Sequence, residues 1–520
     1  MRENMAEESR IAFSMKHIGK SFGSVCANDN IDFEVRQGEI HALLGENGSG
    51  KSTLMNILSG IYQPDCGEIE VYGQKKIFQS PKDSITCGIG MVHQHYKLAE
   101  ALTAAENILA GSVGMISHRK KEIEAIRAFS EKYGMEIQPE KLANQLSVSE
   151  KQSVEILKVL YRGARILVLD EPTAVLTPQE IRHLFRVLRK MRDNGCSIVF
   201  ISHKLNEVMD LCDCVTVLRK GKSIATYKID EIDAYELVEK MVGRRVDLSI
   251  DRPEPISTEK PCLEVDHLSV KDENGYKKLN SISFSLSRGE ILGVAGLAGS
   301  GQKELCEAVA GILPVAEGRI SFDDQVISGK SPREIIRLGV SMSFIPEDRL
   351  GMGLVASMDI ADNILLKDYA FQPGLFLKNK EVREKAQKIV KDLEISTSNI
   401  YHPVRKLSGG NIQKVILGRE INLNPKLLIT AYAVRGLDIN SSYTIYNLLN
   451  EQKKKGVAIL YIGEDLDVLM ELCDRIIVLC AGEITGIVDA KSTTKEELGQ
   501  MMSGTKYADL KGGVDYVSNS

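Results

Sequence analysis

Residues 45–53 read GENGSGKST, preceded by the apolar run IHALL (Ile40 to Leu44) and followed by LMNIL. The stretch satisfies G-x-x-x-x-G-K-[ST], and its setting predicts a strand entering a glycine loop and a helix from Ser52 onward. Glycines let successive backbone N–H groups turn inward as an anion nest, and the helix start adds the positive end of its dipole. Lys51 is placed to reach the β- and γ-phosphates of a nucleotide and Ser52 to ligate Mg²⁺. The candidate nucleotide-binding residues are therefore Gly45, Glu46, Asn47, Gly48, Ser49, Gly50, Lys51, Ser52 and Thr53.

The same passage occurs twice. RQGEIHALLGENGSGKSTL (Arg36 to Leu54) aligns without a gap on SRGEILGVAGLAGSGQKEL (Ser287 to Leu305), an offset of 251. Further on, LSVSEKQ (Leu146 to Gln152) matches LSGGNIQ (Leu407 to Gln413), and LCDCVTVL (Leu211 to Leu218) matches LCDRIIVL (Leu472 to Leu479), both at an offset of 261. Two copies of one domain fill the chain, with the ten-residue difference absorbed by surface insertions. The expected division is a first domain over 11–245, a Pro-containing linker over 246–261, a second domain over 262–504 and a loose polar tail over 505–520.

Each copy alternates β-rich runs with amphipathic segments. ILVLD (Ile166 to Asp170) is apolar without alternation, as in a parallel sheet covered on both faces. Residues 100–160 read as helical. The predicted fold is α/β: two tandem phosphate-loop domains, each a parallel-sheet core with an inserted helical subdomain.

Composition sets outer bounds. The 520 residues carry 66 Lys+Arg and 71 Asp+Glu, a formal net charge of −5, with 43% hydrophobic and 26% charged residues. That is an ordinary globular balance, and its mild acidity argues against a nucleic-acid partner. No run approaches 18 apolar residues, so no membrane span is expected. No apolar stretch follows the charges of MRENMAEESR, which favours a cytoplasmic address. The ten cysteines are scattered, the pattern of reduced core thiols, and Cys212 with Cys214 has no second pair or His cluster nearby in sequence to suggest a metal.

ILVLDEP (Ile166 to Pro172) delivers two carboxylates at the end of an apolar strand. Buried carboxylates are costly without partners, and a nucleotide-bound Mg²⁺ and a water would supply them. Asp170 is thus a metal-holding candidate. Glu171 is the candidate that polarises the water attacking the γ-phosphate.

With these motifs the sequence resembles the ATP-binding-cassette (ABC) family over nearly its whole length. The resemblance implies that Gln94, in GMVHQHYKL, contacts Mg²⁺ and the attacking water. It implies that His203, in FISHKL, contacts the γ-phosphate, and that Phe22 stacks on adenine. Read alone, His203 is a helix-start histidine bonded to backbone and Phe22 a core residue. LSVSEKQ and LSGGN stand where the family has its LSGGQ signature.

The offsets map Lys51 to Gln302, Ser52 to Lys303, Asp170 to Ala431, Glu171 to Tyr432 and His203 to Glu464; Gln94 corresponds loosely to Glu347. The second half has lost its chemistry but keeps LSGGN, whereas the first has Val148 and Ser149 in place of the signature glycines. In the family two domains pack head to tail, so the resemblance implies one complete site: the first half's loop, Gln94, Asp170, Glu171 and His203, completed by Ser408, Gly409 and Gly410. The other site, built on Gln302 and Tyr432 with Ser147, should be silent. Asp438 and Thr177 occupy the place of the family's intersubunit loop.

Two such halves without a membrane span suit the ATPase subunit of a transporter or a soluble translation factor acting on ribosomes. One competent site and a short Pro-containing linker favour the transporter. PEDRLGMGLV (Pro346 to Val355) and RGLD resemble importer subunits for simple sugars and nucleosides, and ITAYAVRGLD (Ile429 to Asp438) leans towards nucleosides. The implied partners are two membrane permeases and an extracytoplasmic solute-binding protein, with this chain peripheral on the cytoplasmic face of the membrane. Its permease-facing segments are expected at His95–Ile108 and Asp348–Ile364.

Overall fold

The computed structural model describes residues 11–23, 25–93, 96–110, 119–174, 176–202, 204–245, 249–255, 260–272, 274–344, 353–369, 379–397, 399–435 and 437–510. Gln94, His95, His203, Glu347 and Asp348 lie outside the described residues. Contacts divide the chain into two units after residue 246.

In the first unit the strands are β1 (Ile11–Phe22), β2 (Val25–Arg36), β3 (Ile40–Leu44), β4 (Cys66–Val71), β5 (Gln74–Lys76), β6 (Ile89–Val92), β7 (Ile166–Asp170), β8 (Ser197–Ile201), β9 (Cys214–Arg219) and β10 (Lys222–Lys228). The two apolar runs singled out in the sequence become β3 and β7. Both lie inside a six-stranded sheet ordered β10-β9-β3-β8-β7-β6, parallel except for the β9–β10 hairpin. All five residues of β3 are buried, because helices and a second sheet cover its faces.

That second sheet is antiparallel, four-stranded and ordered β2-β1-β4-β5. It did not figure in the sequence expectation. Phe13, Met15 and Ile18 of β1 form one core with Leu43, Val168 and Val199 of the parallel sheet and with Leu54 and Leu58 of the helix Lys51–Leu58. Packing between the sheets thus fixes the helix that opens at the phosphate loop.

Between β6 and β7 the chain makes the helices Ala104–Leu109, Arg119–Tyr133 and Val148–Tyr161, the expected helical insert. Thr103, Ser147 and Thr177 each start a helix with a reciprocal capping box to Glu106, Glu150 and Glu180. Such caps contribute about 1 kcal/mol each.

The second unit repeats the plan. Its strands are β11 (Leu263–Lys271), β12 (Lys277–Leu286), β13 (Ile291–Gly296), β14 (Glu317–Phe322), β15 (Gln325–Val326), β16 (Val340–Phe344), β17 (Leu427–Ala431), β18 (Ala458–Ile462), β19 (Arg475–Cys480) and β20 (Glu483–Asp489). The parallel-based sheet runs β16-β17-β18-β13-β19-β20 and the antiparallel one β12-β11-β14-β15, the same orders under the offsets.

Three expectations change. Residues 251–254, read as linker, are bound to the second unit. Arg252 donates to the carbonyls of Met470 and Cys473, Asn450 and Lys453 donate to the carbonyls of Asp251 and Pro253, and Lys491 pairs with Glu254. The loose tail shortens, because Tyr507–Leu510 is a helical turn whose Tyr507 and Leu510 pack on that unit's core. All ten cysteines are free, but Cys26 and Cys66 are exposed rather than core thiols. Both sit in the first two positions of a strand, Cys26 paired with Ser21 and Cys66 with Gly19, before the buried positions begin.

Candidate functional site

The phosphate loop joins β3 to the helix Lys51–Leu58. Gly50 caps that helix with φ 101°, and a Cβ there would fall 2.5 Å from the Ala27 carbonyl and from Asn28 Nδ2. Only glycine fits both the backbone angle and the space. Asn28, fully buried on β2, donates Nδ2 to the Gly50 carbonyl at 3.1 Å. The Lys51 ammonium folds back on the loop, donating to the carbonyls of Gly45 at 2.6 Å and Glu46 at 3.0 Å. The Ser49 hydroxyl is buried and has no hydrogen-bond partner among the described residues, while Ser52 is exposed on the first turn.

β7 brings Asp170 and Glu171 to this loop. Burial lowers the Lys51 pKa, and the charges of Glu171, Asp170 and Glu46 oppose that. Burial, then the charge of Glu171, raises the Asp170 carboxyl above its ordinary value against the pull of Lys51. The cation and both carboxylates therefore share one electrostatic neighbourhood. Glu171 sits at φ 48°, its amide donating to the Ile201 carbonyl of β8 at 2.9 Å. Phe22 is 44% exposed, so the core reading fails for it. Its ring packs edge-to-face on Tyr62 at 5.3 Å, with Lys20 over it.

The equivalent loop of the second unit keeps the backbone and loses the charges. Gly301 caps the helix Gln302–Val309 at φ 109°. Gln302 donates to the Leu297 carbonyl at 3.1 Å, the neutral counterpart of the Lys51–Glu46 bond. Lys303 turns to Glu307 on its own helix, 3.8 Å away. Tyr432 lies under the Arg435 guanidinium, which is 3.5 Å from Glu464. Burial, with the nearby charge of Glu464 adding to it, pushes the Tyr432 phenol up to about 12.

The signature segments differ in charge as well as in glycine. Ser147 caps its helix, and Glu150 accepts from the Ser147 amide at 2.6 Å and pairs with Lys141 at 3.0 Å. Burial opposes ionisation of Glu150, but the Ser147 amide and Lys141 outweigh it and lower its pKa. A carboxylate thus stands at the start of that helix. In the second unit Ser408 caps the helix Gly409–Asn422, and its partner is the neutral Asn411, whose Nδ2 donates to Ser408 Oγ at 2.9 Å. Thr177 and Asp438 also cap helices, accepting from the amides of Glu180 and Ser441.

Residues 28–174 and 279–430 both match the ABC transporter family. The chain belongs to the ABC transporter family. As an ABC ATPase it binds and hydrolyses ATP. Among its relatives, the guanosine import ATP-binding protein NupO of Bacillus subtilis is 44% identical, covering 94% of this chain and 97% of the relative. The nucleoside import ATP-binding protein NupA of Lactococcus lactis is 41% identical, covering 96% and 99%. The ribose import ATP-binding protein RbsA of Bacillus licheniformis is 37% identical, covering 94% and 99%.

Several residues of this ABC ATPase escaped the sequence reading: Asn28, Tyr62, Asn107 and the group Thr173, Ser202 and Glu207. The buried Asn107 accepts from the Ala99 amide and donates to the carbonyls of Ala99, Leu102 and Thr103. Asn363 makes the matching bonds to Val355, Met358 and Asp359. Folding also brings Glu39 and His41 to Cys214, with ligand atoms within 4.8 Å of one another. Both His41 nitrogens are engaged there, by Glu39 at 2.6 Å and Thr216 at 2.8 Å.

Proposed function

We propose that this chain is the energy-coupling ATPase of an ABC importer, that only its first phosphate loop is catalytic, and that the solute is a nucleoside. The observation that carries the reading is the gathering of Lys51, Asp170 and Glu171 at one loop, against Gln302, Ala431 and Tyr432 at the other. The ribosome-acting alternative is set aside, because relatives matched over more than nine-tenths of their length are import ATP-binding proteins.

ATP phosphates enter the loop of residues 45–53, and Lys51 exchanges the Gly45 and Glu46 carbonyls for phosphate oxygens. The orphaned Ser49 hydroxyl, the exposed Ser52 and the desolvated Asp170 suit a phosphate–Mg²⁺ group. Ser52, Asp170 and Gln94 would hold the ion, which when bound neutralises phosphate charge. Phe22, half-exposed beside Tyr62, would stack on adenine. Glu171 takes the proton of the attacking water, and His203 holds the γ-phosphate.

Ser408, Gly409 and Gly410 complete this site, a pairing inferred from family resemblance. The neutral Asn411 supports it, since a carboxylate such as Glu150 would repel a γ-phosphate. The site built on Gln302 and Tyr432 with Ser147 is catalytically silent.

Two membrane permeases and an extracytoplasmic solute-binding protein complete the system, with this chain peripheral on the cytoplasmic face. Among the described residues no helix is long and apolar enough to cross a membrane. The permease-facing segments are 95–108 and 348–364, where Leu102 and Val355 are exposed apolar residues and Asn107 and Asn363 hold the backbone. A nucleoside is preferred over a simple sugar because of the Ala431–Tyr432 replacement and the guanosine and nucleoside names of two relatives. Removing the chain from its host and measuring uptake of radiolabelled guanosine and ribose tests this. Loss of guanosine uptake with ribose uptake intact is expected, and loss confined to ribose contradicts the solute assignment.

A further inference from the structure

Glu207 lies 4 residues after His203 but 36 after Glu171, and its carboxylate bonds to side chains from both of the segments that carry these catalytic candidates. Thr173, two residues after Glu171, donates its hydroxyl to Glu207 Oε2 at 2.6 Å. Ser202, the residue before His203, donates to the same oxygen at 3.1 Å. The other oxygen is 3.3 Å from the Lys204 ammonium, and the Lys204 amide donates to Ser202 Oγ at 3.1 Å. Thr173, Ser202 and Glu207 are 2%, 3% and 8% exposed, so these bonds are sheltered from water.

The second unit supplies an internal control. At the offset of 261 the three positions hold Val434, Gly463 and Val468, with no hydroxyl and no carboxylate. The main chain is nevertheless the same: the Glu171 amide bonds to the Ile201 carbonyl and the Tyr432 amide to the Ile462 carbonyl, each at 2.9 Å. Val434 and Val468 simply pack against the apolar core. The fold therefore closes the buried interior of this junction with apolar side chains, and the Arg435–Glu464 ion pair that crosses it at 3.5 Å is about half-exposed to solvent. Burying a carboxylate is costly and apolar replacements serve stability as well or better. The network goes with the unit that carries Lys51, Asp170 and Glu171, and it is missing from the unit that lacks them.

We propose that Glu207 is a positioning residue for ATP hydrolysis, its carboxylate locking the Glu171 turn through Thr173 to the His203 segment through Ser202. A hydroxyl on each side and one shared acceptor oxygen give the two segments a common reference that a backbone bond alone does not. In this role Glu207 acts through Thr173 and Ser202 rather than on the reacting atoms. The proposal rests on the reading that Glu171 and His203 serve the hydrolysis.

Three variants of the full chain separate the possibilities, assayed for phosphate release against ATP concentration, for binding of the fluorescent analogue TNP-ATP, and by thermal melting. Thr173→Val installs the residue the second unit already tolerates, and Thr173→Ser keeps the hydroxyl. Thr173→Val is expected to lower kcat about tenfold with KM for ATP and TNP-ATP affinity within about twofold. Thr173→Ser is expected to restore kcat and melting to remain near that of the parent. An unchanged kcat in Thr173→Val overturns the proposal. So does a joint loss of kcat, affinity and melting temperature that Thr173→Ser does not rescue, because that is the signature of a structural role. Glu171→Gln, assayed in parallel, keeps the two readings apart: if it retains hydrolysis, the site assignment itself fails; if it abolishes hydrolysis while Thr173→Val does not, only the positioning role fails.

Discussion

Glu171 and Tyr432 occupy the same backbone position, at φ 48° and 55°, each with its amide bonded 2.9 Å to the neighbouring strand's carbonyl, Ile201 or Ile462. A left-handed conformation costs a non-glycine residue about 1 kcal/mol or more, and the flanking parallel strands hold both residues in it. The second unit thus keeps the shelf on which the proposed catalytic carboxylate stands in the first. What it has lost is side-chain chemistry, and a tyrosine with so raised a phenol accepts no proton from water at neutral pH.

Glu171→Gln should accordingly lower steady-state phosphate release at least about a hundredfold, whereas Tyr432→Phe should leave it within about twofold. Tyr432→Glu should not create a second active site, since Gln302, Lys303 and Ala431 remain. Phosphate-release assays on the purified chain read all three.

Asp170 gives a pH-dependent prediction. Its carboxyl is raised above the model-compound value of 3.8, first by burial and then by Glu171. The folded state holds that proton more tightly than the unfolded one, so stability falls as pH rises between the unfolded and folded values and stays reduced above them. Asp170→Asn removes the penalty. Nucleotide-free Asp170→Asn should melt about 2 °C higher than the parent at pH 7, the gain shrinking as pH is lowered towards 4. Hydrolysis should be lost at the same time.

Much of this site was readable in the sequence because it is local. Residues 45–53 and 166–172 are contiguous, and their flanking apolar runs became β3 and β7 with the expected limits. The antiparallel sheet was not readable, since the register of β1 against β2 and β4 is set by side chains distant in the chain. The Glu207 network spans 34 residues to Thr173, and the Glu39–His41–Cys214 cluster spans more than 170. Neither spacing resembles a motif. The internal repeat held a usable signal all the same: Asn28, Thr173, Ser202 and Glu207 are polar in the first copy where Leu279, Val434, Gly463 and Val468 are not. Phe22 reads as a core residue in sequence because its exposure beside Tyr62 depends on a contact 40 residues away, and Tyr507 sits in polar sequence company while packing on the second unit's core.

Asn107 ties the proposed permease-facing segment by four hydrogen bonds to residues 99–103. Asn107→Ala should cost about 2 kcal/mol of stability, because buried backbone groups lose their partners. Basal ATP hydrolysis should persist while solute uptake by the assembled transporter falls, which paired phosphate-release and uptake measurements would show.

Thr177 caps the helix Pro178–Asp193 in a reciprocal box with Glu180. Thr177→Ala should lower stability by about 1 kcal/mol in denaturant unfolding, and Thr177→Asp should restore it.

One site is proposed to do the chemistry, with the second unit's Ser408, Gly409 and Gly410 completing it. Parallel ATPase measurements on full-length Ser408→Arg and Ser147→Arg test it most directly. Ser408→Arg should remove most steady-state hydrolysis and Ser147→Arg little of it; equal losses from the two would contradict the one-site mechanism.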